Sequence, residues 1–159
     1  MSPTKFQSLA DAVFGPYLAA HGFSHVDSAS APRVLTAKFR SSEFTLWLFG
    51  ESTEDIYGKV APINDEVAGE YLGAVLAYLS GANHPVRGAQ AQANELQAHH
   101  AKVARLFAPD AHSERSHLKE WIADYAQRSV AELARKAEVV RESRRWWQFW
   151  LRRPTTPPA

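Results

Sequence analysis

From Phe23 to Ala61 the chain follows a strand pattern, and on both sides of that stretch it follows a helical one. Arg33 to Arg40 alternates, with Leu35, Ala37 and Phe39 on one side and Thr36, Lys38 and Arg40 on the other. Successive side chains of a strand point to opposite faces, so this is a strand buried on one side only. Phe44 to Phe49 differs, because Phe44, Leu46 and Leu48 are matched by Trp47 and Phe49. Such a strand is apolar on both faces and calls for cover over each. Phe23 to Val26 is a short strand, Ser28 to Pro32 a connection, Ser41-Ser42 a tight turn, and Ile56 to Ala61 a last strand stopped by Pro62. Strands this close in sequence pair with their neighbours, giving an antiparallel meander of three or four strands.

Thr4 to His21 carries Phe6, Leu9, Val13, Tyr17 and Leu18 at helical spacing, with Thr4 as cap and Gly22 as terminator. Gly15-Pro16 within it should kink or split the helix. Beyond Pro62, Asn64 is placed to cap a helix burying Val67, Tyr71, Leu72, Val75, Leu76 and Leu79 and ending at Gly81. Ala89 to Phe107 is an Ala/Gln-rich helix with Leu96, Val103, Leu106 and Phe107 as its sparse apolar set. Ser113 caps a last helical stretch, which restarts or simply continues at the capping-box-like Ser129-Val130-Ala131-Glu132 and runs to about Leu151. Segregated strands and helices define an α+β fold. The expectation is one domain over 1–153, with 154–159 a disordered end.

There is no cysteine, which removes disulfides, thiolate metal sites and a cysteine nucleophile. No stretch resembles a signal-peptide core, and none approaches the roughly 20 apolar residues that span a bilayer. The expectation is a soluble cytoplasmic protein. Its net charge of +1 conceals a division. From Arg135 onward seven basic residues face two acidic ones, leaving 11 basic and 15 acidic residues in 1–134. The body is mildly acidic and the tail basic.

No phosphate-binding glycine loop and no G-x-S-x-G occurs. His99 and His100 are adjacent and His112 and His117 are five apart, so neither pair has the three- or four-residue spacing of a helical metal site. Neither cofactor nor metal is expected, and a hydrolase or metal enzyme finds no set of residues with the required spacing. Two features are candidates for binding. Glu51, Glu54 and Asp55 in one loop, with Asp65 and Glu66 nearby in sequence, would make one end of the sheet acidic and suited to a basic protein partner. Equally, they could be solvated carboxylates and helix N-terminal acids.

The second feature is the segment holding Arg144, Arg145, Trp146, Trp147, Phe149, Trp150, Arg152 and Arg153. On a helical wheel Val139, Val140, Trp146, Trp147, Trp150 and Leu151 gather opposite Arg141, Arg145, Gln148 and Arg152. Such a helix could pack over the sheet face bearing Trp47 and Phe49, or lie on an anionic membrane surface. A third option is a partner's groove or nucleic acid, where the acidic body weighs against nucleic acid.

The run AAHGFSHV, followed by RVLTAKFRSSEFTLWLFGE and IYGKVAP and then by helices, resembles the small cytosolic immunity-type proteins that bacteria hold against polymorphic or contact-delivered toxins. The resemblance spans about Phe6 to Leu79 and carries over no catalytic residue. It implies a non-enzymatic module that occludes a toxin domain, for which an acidic loop suits a basic target. Peripheral attachment to the inner face of the membrane through 141–153 is the alternative.

Overall fold

The computed structural model describes the backbone of residues 1–31, 34–50 and 55–151, and the side chains of these except 31, 139 and 142–151. It is an α+β protein: α1 (Pro3–Ala20), β1 (Ser24–Ala31), β2 (Val34–Arg40), β3 (Thr45–Gly50), β4 (Ile56–Ala61), a 3₁₀ turn (Glu66–Ala68), β5 (Glu70–Tyr71), α2 (Leu72–Ser80), α3 (Ala89–Leu106) and α4 (His112–Leu151). Its contacts divide it into two compact units, Met1–Trp121 and Ile122–Ala159.

The five strands lie in sequence order, each antiparallel to the next. Ser41 makes the β2–β3 turn by accepting the backbone N–H groups of Glu43 and Phe44 on its hydroxyl, at 3.1 and 3.3 Å. That is how a serine replaces a backbone partner in a tight turn.

One face of the sheet buries Leu35, Ala37, Phe39, Leu46, Leu48, Ile56 and Val60. Helices lie on this face: Phe6 of α1 sits over Gly50, and Leu72 of α2 over Gly58, each where a Cβ would collide. Gln92 of α3, itself buried, accepts the Gly58 N–H at 3.1 Å and donates to the Val86 carbonyl at 3.1 Å. Leu72, Val75, Leu76, Leu96, Val103 and Leu118 complete a core with almost no exposure.

Several expectations are corrected. α1 is one helix through Pro16 and is not split there, and it is capped by the Ser2 hydroxyl rather than by Thr4. The ring removes a single helical N–H, and flanking burial of Phe14, Tyr17 and Leu18 holds the turn. β1 extends to Ala31, through residues expected to be a connection, because it pairs along the whole of β2. The segment after Pro62 does not begin a helix at Asn64. Asp65 instead caps a 3₁₀ turn by accepting from Ala68 N, Gly69 passes within van der Waals reach of Lys59 and Ala61, and β5 adds two residues to the sheet before α2 starts at Leu72. Val67 and Tyr71, expected in the core, are 93% and 64% exposed. Gly81 does end α2, in the left-handed conformation (φ 72°) that glycine adopts without strain.

Candidate binding face

The sheet's second face is built from two cross-strand rows. Asp27, Lys38, Trp47, Lys59 and Tyr71 pair side by side across five strands, and Ala29, Thr36, Phe49 and Tyr57 form the next row. Strand alternation makes this inevitable: Trp47 and Phe49 are two residues apart on β3, while Leu46 and Leu48 between and beside them point into the core. The Trp47 and Phe49 rings lie 15° from parallel at 6.3 Å, and Phe49 and Tyr57 lie 11° from parallel at 5.2 Å. Tyr71 follows Tyr57 at 6.0 Å, so four rings form a continuous aromatic strip. Trp47, Phe49 and Tyr57 are half-buried against one another, and Tyr71 is exposed.

The cations on this face are already engaged. Lys38 Nζ stands 4.8 Å from the centre of the Trp47 ring and pairs with Glu66. Arg40 donates to the same carboxylate at 2.9 Å, and Lys59 donates to the Glu66 backbone carbonyl at 3.3 Å. Hydrogen bonding from Lys38 holds the Glu66 carboxyl below the usual carboxylate range. The 3₁₀ turn thus engages the cations at one end of the face.

This arrangement locates the residues singled out in the sequence. Asp55 is exposed and accepts the Ile56 N–H at 2.8 Å, at the start of β4. Asp65 and Glu66 follow the other end of the same strand. Six residues of strand, about 20 Å, separate the two groups, so Asp55 does not share a patch with Asp65 and Glu66. Asp65 caps the turn and Glu66 binds Lys38 and Arg40. Glu51 and Glu54 lie outside the described residues. The helix α4 continues through Leu151, which gives Arg144, Arg145, Trp146, Trp147, Phe149 and Trp150 helical backbone; their side chains, and Arg152 and Arg153, lie outside the described residues.

A second polar constellation escaped the sequence reading because its members are far apart in the chain. Burial, and after it the Glu43 charge, pushes the Tyr17 phenol well above its ordinary range, and its hydroxyl is hydrogen-bonded to His100 Nδ1 at 2.7 Å. His100 Nε2–H then donates to Glu43 Oε2 at 2.8 Å. His21 stacks on His100 at 3.7 Å and is held below its ordinary value, first by burial and then by His100. Tyr17 is 3% exposed, beyond reach of a substrate. The chain of bonds braces α1, α3 and the β2–β3 turn together.

No group of three or more metal-ligating side chains occurs among the described residues, and no described helix is long and apolar enough to cross a membrane. No known protein family, curated protein or solved structure matches this chain.

Proposed function

We propose that the chain is a non-enzymatic protein-binding module of the immunity type, which seats a protein partner across the second face of its sheet and neutralises it by occlusion. The observation that carries this reading is the aromatic strip Trp47–Phe49–Tyr57–Tyr71, on the face opposite α1, α2 and α3. Tryptophan and tyrosine dominate the binding energy of protein interfaces, because they remove much apolar area from water while ordering few torsions. The engaged state of Lys38, Arg40 and Lys59 favours a protein over nucleic acid, since phosphate binding needs a row of cations free to displace the counterions condensed on the nucleic acid. A toxin domain of basic charge is the partner class that the resemblance suggests, with Asp55 meeting that charge at the edge of the face.

Photo-cross-linking tests this in cells. A benzophenone side chain at position 57 should capture one polypeptide that the same group at Gln90, exposed on α3, does not. With that polypeptide purified, Trp47→Ala should weaken binding by about tenfold or more. Equal capture from both positions, or an affinity unmoved by Trp47→Ala, overturns the proposal. Reversal of Asp55 to lysine separately tests the contribution of the acidic loop.

Peripheral membrane attachment is a second reading, favoured by one observation: α4 is helical through Leu151, as an interfacial Arg/Trp helix requires.

A further inference from the structure

A groove of about 610 Å³ opens in the unit Met1–Trp121, between the loops at one end of the sheet and the junction of α3 with α4. Its apolar lining includes Ile63, Ala104, Phe107 and Pro109. The charged groups around it divide by origin. Glu43, from the β2–β3 turn, and Asp65, from the β4 loop, are acidic, whereas Arg105 at the end of α3 and Arg115 at the start of α4 are basic.

The acidic and basic groups differ in how far they are engaged. Glu43 presents one carboxylate oxygen to His100, and Asp65 presents one to Ala68 N, so each keeps a second oxygen without a described partner. Arg115 turns inward, with its guanidinium on the Leu106 and Ala108 carbonyls and on His112. The Arg105 guanidinium makes no hydrogen bond or ion pair among the described residues, and no ion pair there joins the acidic set to the basic one. Opposite charges therefore line one apolar-floored groove without meeting.

We propose that this groove binds a short apolar peptide through both of its free termini, the carboxylate at Arg105 and the ammonium at Glu43 and Asp65. A ligand with both charges satisfies both sets at once, and charged hydrogen bonds of this kind are the stronger ones. An anion alone would face the two carboxylates, and a cation alone the guanidiniums, so complementarity selects the zwitterion. The volume falls within the range of about 300–1,000 Å³ typical of sites for molecules of drug size. A single amino acid fills only a fraction of it, while two or three apolar residues occupy the floor as well as the rim.

The test uses the full chain, isotopically labelled, titrated with leucyl-leucine and followed by amide resonances. Saturable shifts are expected around Glu43, Asp65, Ala104 and Arg105. N-acetylation or C-terminal amidation of the dipeptide should each weaken binding about tenfold. Arg105→Gln should remove the advantage of the free carboxylate and leave affinity for the amide unchanged, while Arg105→Lys retains part of it; Arg105 is exposed, so neither change threatens the fold. Absence of saturable shifts up to about 10 mM, shifts confined to another part of the molecule, or equal binding of free and capped dipeptides overturns the proposal.

Discussion

Thr45 is wholly buried on β3, and its hydroxyl has no hydrogen-bond partner among the described residues. A buried hydroxyl left unpaired keeps its desolvation penalty and gains nothing in return. Thr45→Val, of nearly the same shape, should therefore leave stability equal or raise it by about 1 kcal/mol in urea unfolding; a loss of that size would mean that the hydroxyl is bonded. Gln92 is the opposite case. Its amide serves both the Gly58 N–H and the Val86 carbonyl, and Gln92→Leu would strand both, costing about 2 kcal/mol or more. Sequence pattern hides both residues. A threonine in a strand and a glutamine in an Ala/Gln-rich helix are read as surface, and only tertiary neighbours reveal their burial.

At the scale of elements, the junction of α1 with α3 is a site of pH sensitivity. His21, the C-terminal cap of α1, stacks on His100 of α3, with Tyr17, Gln97 and Glu43 around the pair. Because the fold holds His21 below its ordinary value of 6.5, the unfolded chain takes up that proton more readily. The contribution is thus fully present above about pH 6.5 and is lost as pH falls through the folded value. Thermal melts at falling pH below 6.5 should show a declining midpoint, and His21→Gln should flatten that slope; an unchanged slope would exclude His21 as its source. The segment between β4 and α2 teaches a different lesson. Apolar spacing there fits a helix from Asn64, yet the chain must first turn back along β4. Gly69 admits the close approach, leaving Val67 and Tyr71 outside the core.

For the whole molecule the question is what the long α4 does. Val130 and Leu133, at helical spacing, are 67% and 66% exposed, and beyond them lies the basic segment noted in the sequence. If the segment binds membranes, the full chain should float with anionic liposomes and a chain ending at residue 140 should not, the difference fading at high salt. Equal flotation of the two ends that reading. A truncated chain that melts much lower would point to packing instead. For the sheet, Tyr71→Ala at the exposed end of the aromatic strip should leave the melting midpoint nearly unchanged while weakening partner binding, which separates recognition from folding.

Local chemistry by itself determined the α+β class, the β2–β3–β4 meander, the C-terminal end of α2 and the absence of any cysteine-based chemistry. These follow from periodicity and from residues such as Pro62 and Gly81, whose backbone preferences act over a few neighbours. The two-sided apolar character of Trp47 and Phe49 was legible too, and marked the face on which the aromatic strip stands. Tertiary structure decided the rest. It set Asp55 apart from Asp65 and Glu66, because a strand's two ends are separated by its length. It brought Tyr17, Glu43 and His100 together across more than 80 residues, and it engaged Lys38, Arg40 and Lys59 with one glutamate. Each depends on which segments fold next to one another, and a spacing rule along the chain carries no information about that.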